Sequence, residues 1–394
     1  MQSWATSQGI GRAMDGPVSP RRSTPPTLSR SRWHPSSACC LLPPALAAFG
    51  VGCFVANAVQ PSRFAPAASH LNSTIPPTQA EIAAAFALHS NQPLVAGPDV
   101  AMTPGGGDAR YLAKFWGGDD VDVVDIATIH QYALIRNGVA ATYPDFYNAT
   151  RLNACRENTR AARAIVPRRT ALWVGEGSPD WRVTGELGRN LTFETGFVDM
   201  AGSIAAGGGA LFARQCLNSV IGPNDVVEPG FWTMLLWKRL MGETVWNATV
   251  VGAVAAARPV SPQGDRSPTG NNATAGPVRV YCHSTPKQGR AGDGSDLTAL
   301  IINLGADPAS VTVALPASVG RCVRRDEYHL GPGSAAAGPA GGATTITVNG
   351  VVPRFSGPNS SALPAMLPRS VEGCVNPVTL APRAFAFIVL RLGQ

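Results

Sequence analysis

Lysine is almost missing from this chain. Of 32 basic side chains only Lys114, Lys238 and Lys287 are lysines, and the rest are arginines scattered among Ala, Gly and Pro. A formal charge of +7 without a dense basic run or interleaved aromatics gives no footprint for a nucleic-acid backbone, so no nucleic-acid partner is expected. No Cys-x-x-Cys pair occurs among the eight cysteines, which removes the usual spacing for zinc, and no metal is expected. No Gly-x-Gly-x-x-Gly opens the first strand-helix unit. Gly105-Gly106-Gly107 reads as a plain loop, and no dinucleotide or other cofactor is expected.

The asparagines are few, yet six of them begin Asn-x-Ser/Thr sequons: Asn72, Asn148, Asn190, Asn247, Asn272 and Asn359. That excess points to glycosylation and to the secretory pathway. Arg30 and Arg32 precede an apolar stretch from Cys39 to Val55, followed by Ala56-Asn57-Ala58. This is the pattern of a cleaved signal peptide, and a membrane anchor over residues 39–59 is the second reading. The expected destinations are the cell exterior, a cell wall or a lysosome or vacuole, with membrane association through that segment as the variant. Disulfides are permitted there. Beyond the apolar stretch remain Cys155, Cys216, Cys282, Cys322 and Cys374. The three in the C-terminal third allow one bridge that includes Cys374, its partner open.

Residues 1–78 are rich in Ser, Pro and Arg without periodicity outside the targeting segment, and are assigned no fold. From residue 79 to 245, strand-like and helix-like segments alternate. Glu81–His89 reads as a short amphipathic helix and Leu94–Ala96 as a strand that stops at a Gly97-Pro98-Asp99 turn. Asp108–Trp116 reads as a helix and Val121–Tyr132 contains a strand. Asn148–Val166 is a helix with Leu152, Cys155, Ala162 and Ile165 on one face. A strand ends at Glu176, a helix covers Phe193–Ala206, a strand Ala210–Leu217, and a helix Phe231–Met241 closes at Gly242. These serial units are the repeat of a (β/α) barrel or a doubly wound sheet. From 246 to 394 the helical period gives way to strands at Val278–Cys282, Leu297–Leu304, Val311–Leu315, Thr344–Val348 and Phe385–Leu392. Asn349-Gly350 is a hairpin signal, and the module reads as a β-sandwich packed on the preceding domain. Arg258–Pro277 reads as an exposed insertion.

The stretch Thr170-Ala171-Leu172-Trp173-Val174-Gly175-Glu176-Gly177-Ser178 is apolar until one carboxylate near its end. Short, β-rich and bounded by Pro167-Arg168-Arg169 and Pro179-Asp180, it reads as a buried parallel strand. A Glu at its end occupies the rim from which α/β enzymes present catalytic groups, or caps the next segment.

Trp173–Ser178, Ala96-Gly97-Pro98-Asp99 and Thr128-Ile129-His130-Gln131-Tyr132 together resemble the heparanase-like family 79 of glycoside hydrolases. So do Ala213-Arg214-Gln215, Phe231–Gly242, Val278–His283, Leu300–Leu304 and Leu380–Arg383, in the family's order, over roughly residues 79–394. The resemblance implies the C-terminal half of a (β/α)8 TIM-type barrel followed by a β-sandwich. It also implies a retaining hydrolase acting on β-glucuronide linkages of a uronate-containing glycan or glucuronide. Glu176 falls on the family's nucleophile, His130 and Tyr132 on residues flanking it, and Asp99 on the Gly-Pro-Asp motif. The family's general acid lies in an Asn-Glu dipeptide, and none occurs here, so the chain reads as truncated and lacking its acid. The loop Val100–Gly107 is uncharged and Gly222-Pro223-Asn224 lacks the family's Tyr. Pro179–Val183 replaces a Gly-rich uronate loop, making Arg182 a candidate carboxylate partner. The alternative is a non-catalytic secreted glycoprotein of the same descent that binds carbohydrate or protein.

Overall fold

Four parallel strands stand side by side in chain order: β3 (Ala96–Ala101), β4 (Ile126–Tyr132), β5 (Ala171–Ser178) and β6 (Leu211–Gln215). Two short strands, β1 (Gln2–Ser7) and β2 (Cys53–Val55), continue the sheet from β6 in antiparallel sense. An edge strand carries a row of unpaired N–H and C=O groups that any extended segment can take up. The computed structural model describes residues 2–7, 53–55, 94–102, 107–118, 124–135, 139–215, 220–222, 226–250, 277–286, 296–333, 344–355, 357 and 363–393. The Glu81–His89 helix, Cys39 to Gly52, residues 258–276 of the expected insertion, Cys216, Asn72, Asn272 and Asn359 lie outside them.

Helices α1 (Gly107–Trp116), α2 (Ala149–Ile165) and α3 (Leu191–Gly207) connect the strands, and α4 (Pro229–Leu240) follows β6. Each helix touches the next in sequence, so they form one layer. The strand order has no reversal of the kind a doubly wound sheet shows at its switch point. Capping fixes where two of the helices begin. Asn148 accepts the Arg151 N–H and Asn190 accepts the Phe193 N–H. The Gly97-Pro98-Asp99 segment is not a turn after a strand, as its composition implies, but part of β3, with a bulge at Asp99. The end of α4 also differs from expectation. Met241, in extended conformation, caps it, and Gly242 serves close approach instead, since a Cβ there would lie 2.5 Å from the Ser284 carbonyl oxygen.

The second module is antiparallel. Strands β7 (Val245–Trp246), β8 (Val278–Ser284), β9 (Leu297–Asn303), β11 (Arg321–Pro332), β12 (Ile346–Val348) and β15 (Phe385–Gly393) pair in the order β12-β11-β15-β9-β8-β7. Strand β13 (Arg369–Glu372) also pairs with β11, while β10 (Ala309–Val311) and β14 (Val378–Leu380) form a separate two-stranded layer. Strands β9 and β15 are apolar at nearly every position because both faces are covered. Leu297, Ala299, Ile301, Ala386, Ile388 and Leu390 pack with Val378 and Leu380 of the small layer. Their alternating neighbours Leu300, Ile302, Phe385, Phe387 and Val389 join the core of the α/β unit.

The charged strand β11 was not anticipated, and its side chains explain why it is stable. Glu327 accepts from Arg325 Nε at 2.6 Å and His329 Nε2 at 2.8 Å, and also from Arg369. On the opposite face Asp326 accepts from Ser370 at 2.7 Å and Arg391 at 2.8 Å. Cross-strand charge pairing replaces apolar alternation. The expected Val311–Leu315 strand is only Ala309–Val311. Asn349 and Gly350 both have positive φ, 52° and 82°, the two-residue turn their dipeptide signals. Cys374 bridges to Cys322 with Cα atoms 5.8 Å apart, while Cys155 and Cys282 are free.

The α/β unit and the large antiparallel sheet meet on α3. Arg279 of β8 pairs with Asp199 of α3, both buried, and donates to Asn153 Oδ1 of α2 at 2.7 Å. The Tyr281 hydroxyl donates to Asp199 at 2.8 Å. Its ring lies flat on Gly202, where an added Cβ would come within 2.3 Å of the ring. His283 of the same strand is buried and makes a 2.9 Å bond through Nδ1 to the Gly242 carbonyl.

These contacts set two stability tests. Gly202→Ala gains about 1 kcal/mol of helix propensity but overpacks a ring that cannot retreat, at about 1–3 kcal/mol or more. A net loss in urea-unfolding free energy is expected, and an unchanged midpoint refutes the packing. Burial pulls the His283 imidazole down to about 4, against a partial upward pull from the Gly242 carbonyl. The unfolded chain therefore takes up that proton first. The contribution is complete above pH 6.5 and is lost as pH falls towards 4, about 3 kcal/mol in all. Unfolding curves of His283→Asn, which keeps a donor to Gly242, should lose less between those pH values than the parent.

Candidate active site

Strand alternation alone would place Glu176 on the wrong face. Ile129 of β4 pairs with Val174 of β5, and both are fully buried on the helix side. Plain alternation would then send Glu176 to the same side as Leu172 and Val174. Instead the next pair is His130 with Glu176, because Gly175 is an extra residue in β5. The bulge turns Glu176 to the face shared by His130 and Tyr132. Strand β6 registers the same irregularity between Val174 and Gly177. Glycine is demanded on both sides. A Cβ at Gly175 would sit 2.8 Å from Asp99 Oδ1, and one at Gly177 would sit 2.6 Å from the Gln131 carbonyl oxygen.

The neighbouring strands supply the surroundings. Tyr132 donates its hydroxyl hydrogen to Glu176 Oε1. His130 holds Asp99 Oδ2 through Nε2 at 2.8 Å and turns Nδ1 to within 3.9 Å of Glu176 Oε1. The latter distance is charge proximity, too long for a hydrogen bond. Asp99 reaches His130 from the bulge in β3, with φ 60° in the left-handed region. Between His130 and Tyr132, Gln131 points the other way. It donates to Thr159 Oγ1 at 2.7 Å and accepts from the Cys155 thiol at 2.8 Å, locking β4 to α2. Gln215 at the end of β6 also bonds to the Tyr132 oxygen.

These contacts divide the protonation states. Burial pushes the Tyr132 phenol up, and the Glu176 carboxylate adds to it, so the phenol stays a neutral donor. Burial pulls the His130 imidazole down, but the hydrogen bond and charge of Asp99 and the charge of Glu176 outweigh it and the net shift is upward. The chemical result is a carboxylate with one oxygen engaged by a neutral donor, and Oε2 without a hydrogen bond among the described residues. The Glu176 side chain is 20% exposed, so it is not sealed from solvent.

Of the residues picked from sequence, Glu176, His130, Tyr132 and Asp99 thus form one network. Arg182 does not join it. Its guanidinium lies on buried Asp180, with Nε at 3.1 Å from Oδ1 and Nη2 at 3.1 Å from Oδ2, and donates to the Val139 carbonyl. Asp180 also accepts the Ala141 N–H at 2.8 Å. Arg182 is therefore a fastener of its own loop, and its expected role as partner of a substrate carboxylate is corrected. Asn190 is corrected as well. It is fully buried, with Oδ1 capping α3 and Nδ2 donating to the Tyr143 hydroxyl at 3.0 Å, which leaves no room for a glycan. Asn148 and Asn247 are exposed. Gln215 was missed, although it stands in the Ala213-Arg214-Gln215 match. Its signal is the polar Arg214-Gln215 pair that ends the apolar run Leu211-Phe212-Ala213. No group of three His, Cys, Asp or Glu suited to a metal occurs among the described residues.

No protein-family model matches the chain. It is 29% identical over 221 residues to heparanase of Mus musculus, 53% of this chain and 36% of that protein. It is 31% identical over 222 residues to heparanase of Bos taurus, covering 35% of it. To the baicalin-β-D-glucuronidase of Scutellaria baicalensis it is 26% identical over 237 residues, 38% of that protein. The chain thus spans little more than a third of the length of these relatives, and its resemblance to the heparanase-like proteins is partial. Among solved structures, the GH51 arabinofuranosidase of Xanthomonas axonopodis pv. citri superposes with a TM-score of 0.51 at 13% identity, over 77% of this chain and 59% of that one. A 4-O-α-L-rhamnosyl-β-D-glucuronidase of Fusarium oxysporum 12S gives 0.51 at 14% identity, over 79% and 63%. The fold is one that glycoside hydrolases use.

The Asp99–His130 contact generates a titration test. Removing the Asp99 charge by Asp99→Asn leaves burial as the largest influence on His130. Its imidazole pKa, read from NMR shifts, is expected to fall from above 6.5 to below it. An unmoved titration curve refutes the pairing.

Proposed function

We propose that this chain carries the nucleophile side of a retaining β-glucuronide hydrolase, built on the C-terminal half of a (β/α)8 barrel with a β-sandwich beside it. The domains are residues 79–245 and 246–394, and residues 2–7 and 53–55 of the segment before them, expected to have no fold, add β1 and β2 to the first. The observation that carries the reading is the neutral Tyr132 hydroxyl on Oε1 of Glu176, which keeps the carboxylate oriented with Oε2 open. Support comes from the partial likeness to heparanases and to a plant β-glucuronidase and from the glycoside hydrolase fold. Glu176 Oε2 attacks the anomeric carbon, the bond from that carbon to the aglycone oxygen breaks, and its electron pair leaves with the aglycone. Water then cleaves the glycosyl ester and regenerates the carboxylate. The substrate is a glucuronide or uronate-bearing glycan met in the secretory pathway or beyond it.

Retaining chemistry needs a second carboxyl group roughly 5 Å from the first, to protonate the departing oxygen and later to deprotonate water. The chain has no Asn-Glu dipeptide to supply it, and Asp99, the other carboxylate of the network, is engaged by His130. This favours a second reading, in which the same cleft binds glycans without cleaving them. The two readings part on an activated substrate. A 4-nitrophenolate leaves without protonation, so 4-nitrophenyl β-D-glucuronide should give a burst of nitrophenol stoichiometric with protein, then slow turnover, and a covalent glucuronyl adduct on Glu176. Glu176→Gln should remove the burst and lower the rate by about a thousandfold or more. Absence of burst and adduct in the parent, with a glucuronide still bound, establishes the second reading and sinks the first.

A further inference from the structure

A cleft of about 340 Å³ opens where the α/β unit meets the antiparallel module, and its lining contains none of Glu176, His130, Tyr132 or Asp99. One wall comes from Arg189, in the turn Leu187–Arg189 after β5, and from Glu228 and Trp232 at the start of α4. The other comes from Thr345, Arg354 and Phe355, around β12. The charges in it are unequal. Glu228 is buried and is neutralised by Arg189, whose Nε donates to Oε1 at 2.9 Å and whose Nη2 reaches the same oxygen. Arg354 is exposed and makes no ion pair or hydrogen bond among the described residues. Among the described residues, one positive charge of the lining is therefore uncompensated.

The floor is aromatic. Trp232 packs on Phe355 with ring centroids 5.5 Å apart, and Phe231 backs Phe355 at 6.0 Å. An aromatic wall with one free guanidinium suits a ligand that has an apolar C–H face and a carboxylate at its edge. A pyranose ring bearing a carboxylate has both, whereas a small hydrated anion has no face for the rings. The cleft also lies at the start of α4, on the side of the sheet where β6 ends and Glu176 stands.

We propose that this cleft is a second glycan site, which binds a uronate residue of an acidic oligosaccharide through Arg354 and the Trp232–Phe355 wall. The idea rests on the glucuronide reading above for its ligand class, but not on Glu176 for its binding energy. The test uses the whole chain carrying Glu176→Gln, so that nothing is consumed, and a glucuronate-containing tetrasaccharide titrated by calorimetry and by tryptophan fluorescence. Arg354→Ala, at an exposed side chain, and Thr345→Trp, which fills the cleft from its rim, should each weaken binding about tenfold or more. Both should leave the urea midpoint unchanged. The carboxyl-methylated tetrasaccharide should bind as weakly to the parent as the acid does to Arg354→Ala. Equal affinities for parent and both variants overturn the proposal. So does full displacement by citrate, which would make the cleft a site for free carboxylates rather than sugars. A chain that gives no nitrophenol burst but shows Arg354-dependent binding loses the hydrolase reading and keeps this one. A chain with the burst and Arg354-independent binding does the reverse.

Discussion

The candidate site depends on one extra residue in one strand. Without the bulge at Gly175, β5 would present Glu176 to the helix layer beside Val174 and leave a glycine opposite His130. A carboxylate packed among Leu172, Val174 and Ile129 would carry a desolvation cost far above what a bulge costs. The bulge is possible because Gly175 and Gly177 bring no side chain, one against Asp99 and the other against the Gln131 carbonyl. Asp99 in turn stands in a bulge of its own, so β3 and β5 are both irregular at the level where the acidic groups gather. Bulges beside a site re-aim side chains, and here they gather Asp99 of β3, His130 and Tyr132 of β4 and Glu176 of β5 into one network.

Outward anchors hold the inward groups. Along β4, Gln131 is tied to α2, and the period of two then fixes His130 and Tyr132 on the opposite face. Along β6, Arg214 does the same for Gln215. Its guanidinium makes paired bonds to Glu194 of α3 at 2.8 and 2.6 Å and lies 4.3 Å from the Phe197 ring centre. Removing either partner of such a buried pair strands a charge, at about 3–5 kcal/mol, so this anchoring is stiff. The catalytic candidates themselves need few strong bonds, because their strands are fixed from behind.

Much of this was legible in the sequence for a physical reason. The apolar run from Ala171 to Val174, the helix between Asn148 and Val166 and the Asn349-Gly350 turn each depend on local backbone preference. The assembly of Glu176 with His130 and Tyr132 was legible only by resemblance, since they meet across strands separated by a whole helix and its loops. What stayed hidden was decided by partners distant in sequence. Strand β11 is held by charges whose mates are Arg369 and Arg391. Arg182 reads as a partner for a substrate carboxylate because the fully buried Asp180 that claims it looks, in sequence, like an ordinary loop residue. Asn190 shows the same ambiguity in reverse. The residue type that accepts a glycan is also the type that caps a helix, and burial chooses the cap.

Helix α3 joins these elements into one body. Its Glu194 holds β6, and through Gln215 the Tyr132 hydroxyl, while one turn and a little more further on Asp199 holds Arg279 and Tyr281 of the antiparallel module. Gly202 lets that module close onto the helix. The antiparallel sheet and the strand that carries Gln215 are thus both fastened to α3 by buried ion pairs. The second module is then a support for the position of the candidate nucleophile as well as one wall of the cleft at Arg354. That shared fastening gives a physical reason for an antiparallel module to stand beside a site whose named residues all come from the α/β unit.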